Sequence, residues 1–286
     1  MSSRILNILL LVGAFLGAAA AAAQEPPNGS LGIISVPMAN VRAEAEPKAA
    51  ITTQVLLGDE VRVIEKVDYR LRISIPAQGG RGGWIQQEAV QVPKDQGRSY
   101  LRPDRERIVI TAPKTPALIL DKLGNHTISL YAGTRLPVLE RTAKGYKVQF
   151  PDRTAAVIAA EDALPVPPRN PLLGEVSPAE LARTARKFSG VAYLSGGMTA
   201  QGMDTRGLIT IVYRIHGIDL AADRESLQAR GMKVAKKDLE PGDVLLFFGE
   251  GLGLYVGNGQ FLHAPRKAAV QVGGIHDRRY ANALQY

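Results

Sequence analysis

The 286-residue chain contains no cysteine, and this absence removes several kinds of chemistry. Without a thiol there can be no disulfide bond, no cysteine-ligated metal site and no cysteine nucleophile. There is also no cysteine to which a bacterial lipid anchor could be attached. A chain without thiols suits an oxidising compartment, because no stray thiol can mispair there.

Histidine and tryptophan are also scarce. The histidines are scattered, at His126, His216, His263 and His276. None of them forms the paired helical motif of a metal site, so we expect no metal and no other cofactor. With Trp84 as the only tryptophan and its basic residues dispersed, the chain lacks the aromatic-interleaved basic cluster of nucleic-acid binders. No nucleic-acid partner is expected.

Long apolar runs are missing beyond the N-terminus. There, Met1–Arg4 is short and basic, Ile5–Leu16 is apolar, and Ala21–Ala23 supply small residues before Gln24. This order predicts a secretory signal peptide over residues 1–23. A membrane anchor is the weaker interpretation, because the strongly apolar part spans only about a dozen residues. We expect an exported protein, periplasmic or extracellular, with no membrane anchor in the mature chain.

The mature chain would be basic. Removing residues 1–23 removes only Arg4, which leaves 34 basic and 27 acidic residues and a net charge of +7 (34 − 27). Such a charge attracts anionic surfaces and polymers over long distances. A polyanion-binding protein is therefore one alternative function. A steep loss of binding with salt would distinguish it from recognition in a pocket.

A repeated β pattern fills the first half of the chain. The stretches "GDEVRVIEKVDYRLRISIP" and "GTRLPVLERTAKGYKVQFP" match at a constant offset of 75, so that Gly58 corresponds to Gly133 and Pro76 to Pro151. Both contain apolar residues that alternate with polar ones, the period of a half-buried strand. A constant offset across separated matches indicates duplication of one small β unit.

The first copy resembles a bacterial SH3 domain, through "ANVRAEA" at its start and "GGWIQQEAV" at its end. We place it at residues 31–93. The second copy, at residues 105–166, resembles a diverged SH3 domain, with "RTAAVIAAEDAL" where the first has its Trp84 strand. The resemblance implies that such modules position or restrict a cell-wall substrate. For the second copy a simple spacer role is an equal alternative.

The pattern changes after "PVPPRNP", which reads as a stiff extended linker. Ser177 to Glu180 predict a helix start with a capping box, and Leu208 to Ile215 predict a second helix. "LEPGDVLLFF" then predicts a buried strand, and "GLYVGNGQFLHA" predicts a hairpin with its turn at Gly257 to Gly259. Helices followed by strands indicate an α+β domain over residues 172–286.

These C-terminal segments resemble the NlpC family of papain-like cell-wall peptidases. "YLSGGMTAQGMDTRGLITIVYRIHGIDL" aligns without gaps to the family's glycine-pair and nucleophile segments, and the strand and hairpin segments follow in the family's order. The similarity is greatest to the group that cuts stem peptides between D-glutamate and the diamino acid. It implies an α+β papain-like C-terminal domain preceded by two small all-β SH3-like barrels.

The resemblance also assigns the catalytic positions of this cysteine-peptidase family. The nucleophilic cysteine falls on Thr205, the general-base histidine on Gly251, and the residue that orients the base on His263. A threonine hydroxyl has no ionised fraction, so it depends on a base that Gly251 cannot supply. In such a triad the loss of nucleophile or base alone costs on the order of 10⁶ in turnover.

Four further positions are assigned to substrate binding by the same resemblance. Asp204 matches the aspartate that contacts the free amine of the stem peptide, and Tyr193 begins the glycine-pair segment. Ser195 stands in place of that segment's tryptophan, and Arg206 in place of the motif serine. Arg206 brings a planar bidentate donor that suits binding a carboxylate without cutting the peptide.

We therefore predict an exported, catalytically inactive NlpC-type protein that binds a peptidoglycan stem peptide or a cell-wall protein. The alternative is a residual or altered hydrolase that uses Thr205 with His263 as its base. Asp204 and Thr205 also make good N-cap residues for the following helix. If Asp204 were only a cap, asparagine should replace it at little cost.

Overall fold

The computed structural model describes residues 29–93, 99–121, 124–166, 176–248, 251–277, 280 and 284–285. Within these residues, two all-β units precede a mixed unit of helices and strands, which is the predicted fold class. The predicted signal peptide and most of the predicted linker lie outside the described residues. In the described part of the chain, no helix is long and apolar enough to cross a membrane.

The first unit is a seven-stranded antiparallel sheet with the order β3-β2-β6-β5-β4-β1-β7. Its strands are β1 (Leu31–Ile34), β2 (Met38–Arg42), β3 (Ile51–Leu56), β4 (Glu60–Val67), β5 (Arg70–Ile75), β6 (Arg81–Gln86) and β7 (Val90–Gln91). The predicted alternation is confirmed in β5, where Leu71, Ile73 and Ile75 are buried in the core of this barrel and Arg72 is exposed.

The second unit repeats this arrangement, with the order β10-β9-β13-β12-β11-β8-β14. Its strands are β8 (Arg107–Ile110), β9 (Lys114–Asp121), β10 (Gly124–Tyr131), β11 (Arg135–Thr142), β12 (Gly145–Gln149), β13 (Ala155–Ala159) and β14 (Ala163–Val166). Gly58 and Gly133 occupy equivalent turns with φ of 83° and 84°, which glycine adopts without strain. The common strand order is what duplication predicts.

The third unit packs helices on one face of a five-stranded sheet with the order β20-β19-β18-β17-β21. Its helices are α1 (Pro178–Arg186), α2 (Thr205–Ile215) and α3 (Arg224–Arg230). The strands of this sheet are β17 (Val244–Phe247), β18 (Leu252–Gly257), β19 (Gln260–His263), β20 (Gln271–Gly274) and β21 (Leu284–Gln285). A separate two-stranded sheet is formed by β15 (Met198–Thr199) and β16 (Gly202–Met203). The predicted hairpin turn is confirmed: Asn258 and Gly259 both have positive φ, as a two-residue type I′ turn requires.

The start of α1 differs from the predicted capping box. The helix begins at Pro178, as predicted, but the Ser177 side chain makes no capping hydrogen bond. Glu180 instead accepts a hydrogen bond of 3.0 Å from Arg183, one turn further along the helix. The Glu180 carboxylate thus forms a salt bridge within the helix instead of the capping-box hydrogen bond with the Ser177 N–H.

A buried ion pair joins α2 to both barrels. Arg214, in the last turn of α2, is bonded through Nη2 to Asp59 Oδ1 in the first barrel. Its Nε donates to the Gly133 carbonyl in the second barrel at 2.7 Å. In return Arg135 donates to the Arg214 carbonyl at 2.8 Å and lies 2.8 Å from Asp219. These bonds fix the C-terminal end of α2 against both barrels.

The charges at this junction depend on one another. Burial opposes ionisation of Arg214, but Asp59 and Asp219 outweigh it and raise its pKa. Burial and then the charge of Arg214 lower the pKa of Arg135 to about 10. The Arg214 and Asp59 side chains are only 5% and 2% exposed, so each needs the other as a counter-charge.

We predict that Asp59→Asn lowers the free energy of unfolding by about 3–5 kcal/mol, because it leaves the Arg214 charge buried without its partner. Thermal and urea unfolding provide the measurement. The matched control is Arg72→Met, which removes the exposed Arg72–Glu65 pair at 3.4 Å and should cost at most about 1 kcal/mol. Equal effects of the two substitutions would contradict the role of the buried pair.

Candidate functional site at the start of helix α2

Asp204 forms the N-cap of α2 and is almost completely buried. Its Oδ1 accepts a hydrogen bond from the Gly207 N–H at 2.8 Å, and its Oδ2 accepts one from the Gly196 N–H at 2.8 Å. The capping bond begins the helix at Thr205, three residues before the predicted start at Leu208. Gly196 has a φ of +74°, and a side chain there would meet the Ile51 carbonyl of the first barrel.

Both carboxylate oxygens of Asp204 therefore accept backbone hydrogen bonds. An asparagine would keep one acceptor but would turn its NH₂ group toward the second N–H donor. The condition attached to the expectation for asparagine, an Asp204 that only caps the helix, is therefore not met, because its second oxygen also accepts the Gly196 N–H. Each oxygen keeps a second lone pair, so Asp204 can still accept a bond from a ligand amine.

Thr205 lies next to the end of β19, the strand that carries His263 of the predicted triad. Its Oγ1 accepts a hydrogen bond of 2.9 Å from the N–H of Ala264, the residue that follows His263. This bond ties the start of α2 to the end of β19. The structure thus brings the predicted nucleophile position beside the predicted orienting residue, and gives the Thr205 oxygen a backbone partner.

His263 is buried in a group of aromatic rings. Its ring centroid lies 5.1 Å from that of Phe261 and 5.4 Å from that of Tyr280, and its Nε2 is 3.3 Å from the Tyr280 hydroxyl. Phe247 packs against Phe261 and Tyr280 at 5.0 and 5.3 Å. The His263 ring, which the resemblance predicts to orient a base, is therefore held in place by Tyr280 and Phe261.

Gly251 directly precedes β18 and is exposed. The pairing of Leu254 with Leu262 places Gly253 and Gly251 on the sheet face that carries Phe261 and His263. A Cβ atom at Gly251 would come within 3.1 Å of the Phe247 Cβ. The Gly251 carbonyl accepts hydrogen bonds from the Phe247 N–H at 3.0 Å and from Arg224 Nη2 at 3.3 Å.

Tyr193 and Ser195 lie on the segment that runs beside Asp204. Tyr193 forms an isolated parallel bridge with Met203, and Ser195 is exposed next to Gly196, whose N–H bonds Asp204. Arg206 is exposed in the first turn of α2. The structure therefore gathers Tyr193, Ser195, Asp204, Thr205 and Arg206 around one helix terminus.

The first barrel forms a wall beside this terminus. The Gln54 carboxamide oxygen accepts the Met198 N–H at 2.8 Å, and Gln78 donates to the Gln54 carbonyl at 2.9 Å. Gly79 packs so closely on Ala221 that an added Cβ would lie 2.6 Å from the Ala221 Cβ. These contacts close the gap between the barrel and the α2 unit.

Arg81, at the start of β6, is affected by charges of the α2 unit. Burial, and then the charge of Arg206, lower the pKa of Arg81, while Asp223 and Asp204 act in the opposite direction. Nothing in the residues around Arg81 indicates this, because the effect arises only when the first barrel packs on the α2 unit.

The remaining candidates for chemistry are the distant histidine His216 and a metal site. His216 lies at the far end of α2, where burial lowers its pKa and its Nε2 is 2.9 Å from the Thr184 hydroxyl. Among the residues that the structure describes, no three His, Asp or Glu side chains form a group that could hold a metal ion.

Comparison with known proteins gives matches to one family. The model of the NlpC/P60 family matches residues 190–285. A γ-D-glutamyl-L-lysine dipeptidyl-peptidase of Bacillus cereus (strain ATCC 10987 / NRS 248) is 26% identical over 255 residues, which cover 82% of this chain and 75% of that protein. The protein of the same name from Bacillus subtilis (strain 168) is 26% identical over 76% of this chain and 73% of its own length.

A solved structure supports the same fold over nearly the whole described chain. The crystal structure of an NlpC/P60 family protein from Bacillus cereus ATCC 10987 aligns with a TM-score of 0.81. The alignment covers 89% of this chain and 97% of that one, at 21% sequence identity. At this identity the likeness concerns the fold, which comprises the barrels as well as the α+β unit.

We predict that Thr205→Val lowers the free energy of unfolding by about 1–3 kcal/mol, because it leaves the buried Ala264 N–H without its acceptor. Thr205→Ser keeps an oxygen at the same place and should retain most of the stability. Urea unfolding of the two variants and the wild type provides the measurement. A valine variant as stable as the serine variant would show that the Thr205–Ala264 bond is not needed.

Proposed function

We propose that the chain is an exported pseudo-peptidase that binds peptidoglycan stem peptides without cleaving them, because residues 190–285 match the model of the NlpC/P60 family. The related Bacillus proteins are named for a γ-D-glutamyl-L-lysine substrate, which suggests the class of peptide. Export rests on the basic, apolar and small-residue order of residues 1–23. A cell-wall protein that presents similar groups is the other form of this proposal.

The observation that carries the proposal is the chemistry of the two central positions. Thr205 offers a hydroxyl whose oxygen already accepts the Ala264 N–H, and Gly251 offers no side chain at all. Peptide cleavage needs a nucleophile and a base within hydrogen-bond reach of each other. A hydroxyl without such a base is not deprotonated near neutral pH, so we expect no acyl-enzyme to form.

His263 is the candidate for a substitute base, and its surroundings argue against that role. It is buried, sits edge-on to Tyr280 and shares a hydrogen bond with the Tyr280 hydroxyl. A general base must face the hydroxyl whose proton it takes, whereas the Nε2 of His263 faces the Tyr280 hydroxyl. We therefore assign His263 to the packing of this face rather than to proton transfer.

Of the four predicted binding positions, Tyr193 and Asp204 keep the residue that the resemblance implies. Asp204 retains a carboxylate at the helix terminus, and Ser195 and Tyr193 lie on the adjoining segment. We propose that Asp204 receives the free amine of the stem peptide through the lone pairs that its backbone bonds leave available. The wall formed by the first barrel would limit how far the peptide extends beyond that amine.

We predict that the purified mature protein binds the tripeptide L-alanyl-γ-D-glutamyl-L-lysine and leaves it intact. The absence of a nucleophile–base pair is the reason for the missing cleavage. Calorimetric titration measures binding, and mass spectrometry after prolonged incubation measures cleavage. A product cut after D-glutamate, and lost in Thr205→Ala, would establish the residual hydrolase instead.

The N-acetylated tripeptide is the control for the amine contact. Acetylation removes the positive charge that Asp204 would bind, and a charge-assisted hydrogen bond is worth about 1.5–3 kcal/mol. The acetylated peptide should therefore bind at least about 10-fold more weakly. Equal affinities would contradict the assignment of Asp204, and the absence of any binding would contradict the proposed function.

We predict that Thr205→Cys alone stays inactive, and that Thr205→Cys with Gly251→His recovers weak cleavage. The double substitution restores both a thiol and the imidazole that His263 would orient. The rate should stay low, because the new side chain must fit within 3.1 Å of Phe247 and beside Arg224. Mass spectrometry of the tripeptide digest provides the measurement.

The single and double variants form the critical comparison. If Thr205→Cys were as active as the double variant, Gly251 would not be the base position. If neither cleaved the peptide while both still bound it, the substitutions at Arg206 and Ser195 would be sufficient to block catalysis. The melting temperature of each variant shows whether it is folded.

A further inference from the structure

We propose that the cavity between α3 and β17 binds an amphiphile that has one aliphatic chain and an anionic head group. The cavity has a volume of about 640 Å³, within the range of about 300–1,000 Å³ that is usual for small-molecule sites. Asp204, Thr205 and Gly251 do not line it. It is therefore a second site, separate from the start of α2.

Aliphatic side chains form much of the cavity wall. They come from the residues before α3, from α3 itself, from the segment that follows it and from β17: Leu220, Leu227, Val234, Leu239, Val244 and Leu246. Each of these side chains is half-buried, so each still presents apolar surface to the cavity. An aliphatic chain that entered the cavity would remove this surface from water, which is favourable.

Two polar side chains beside β17 also line the cavity, and both have partners inside the protein. The Tyr213 hydroxyl donates a hydrogen bond to the Gly242 carbonyl at 2.6 Å, and the Asp243 carboxylate accepts the Glu240 N–H at 2.8 Å. A peptide would bring backbone polar groups that need partners of their own, and a buried polar group without one is costly. An aliphatic chain brings no such groups, so the wall suits a chain better than a peptide.

The part of the cavity formed by the end of α3 and the following segment is basic. The stretch "QARGMKVAKK", residues 228–237, contains four basic residues and no acidic one. Of these, Arg230 and Lys233 line the cavity and are exposed. In the part of the chain that the structure describes, neither lies within 4.0 Å of a carboxylate oxygen. Two such cations beside an apolar cavity are complementary to an anionic head group.

Met232 stands between these two cations in the sequence and is 92% exposed. Its unbranched side chain adapts to apolar ligands of different shape, so it can pack along a bound chain. Attachment to a bilayer would instead bury a whole apolar face of the segment. Within residues 228–239, Met232 is the one large apolar side chain that is exposed, since Val234 and Leu239 turn into the cavity. The arrangement therefore favours a single amphiphile over a membrane surface.

The test compares three amphiphiles with chains of similar length and different heads: dodecanoate, neutral monododecanoylglycerol and cationic dodecyltrimethylammonium. Calorimetric titration of the mature protein, with each amphiphile below its critical micelle concentration, provides the affinities. Dodecanoate should bind once per chain and about 3- to 10-fold more tightly than monododecanoylglycerol, because exposed charges contribute only modestly. Dodecyltrimethylammonium should bind most weakly, and acetate, which has no chain, should show no measurable binding.

Three variants separate the role of the chain from that of the head group. Val234→Trp fills the cavity from a segment that is neither helix nor strand, so it should weaken dodecanoate binding at least about 10-fold. Arg230→Gln with Lys233→Gln should make dodecanoate and monododecanoylglycerol bind equally. The matched control is Lys236→Gln with Lys237→Gln, which removes the same charge at residues that do not line the cavity and should preserve most of the preference. Melting temperature and titration with the stem tripeptide show whether each variant is folded.

Each contrary outcome overturns the inference in a different way. If Val234→Trp binds dodecanoate as tightly as the wild type, the chain does not enter this cavity. If the control variant loses the preference as completely as Arg230→Gln with Lys233→Gln, the effect is general charge attraction. If many dodecanoate molecules bind per chain and the protein unfolds, the amphiphile acts as a detergent. If dodecanoate does not bind but the protein is a dimer that Val234→Trp dissociates, a second copy covers the cavity. None of these outcomes bears on binding of the stem peptide, which is measured separately.

Discussion

The buried pair of Arg214 and Asp59 is the interaction on which the arrangement of the three units depends. An ion pair removed from water is stable only when both partners and their remaining hydrogen bonds are in place. Arg214 has its counter-charge in Asp59 of one barrel and donates a hydrogen bond to the Gly133 carbonyl of the other, while its buried Nη1 has no hydrogen-bond partner within the described residues. Because Arg214 belongs to α2, one side chain sets the position of a helix relative to two separate sheets.

The opposite end of the same helix carries the candidate site, so the junction also determines the geometry of that site. With α2 fixed at Arg214, the segment that leads into its first turn lies against the first barrel, where the Met198 N–H bonds Gln54 and Gly196 approaches the Ile51 carbonyl. A rigid helix transmits position over its full length, about 1.5 Å per residue. The position of the Asp204 cap relative to the first barrel is therefore a consequence of packing some distance away.

The parts of the fold that follow local rules could be predicted from the sequence. Alternating apolar residues predicted β5, and the Asn258-Gly259 turn predicted the hairpin. The constant repeat offset predicted two sheets with the same strand order. The start of α2 was displaced by three residues because Asp204 is a stronger cap than the apolar pattern suggested. Arg81 could not be predicted, since its relation to α2 exists only between units that are far apart in sequence. The bond between Thr205 and Ala264 is of the same kind.

Catalysis and binding make different demands on the residues of such a site. Gly251 has no side chain that could act as a base, and the Thr205 oxygen at the nucleophile position accepts the Ala264 N–H instead. Asp204 is different, because its carboxylate holds both the helix terminus and the Gly196 segment. Its charge is therefore maintained by folding, whether or not a peptide bond is cut.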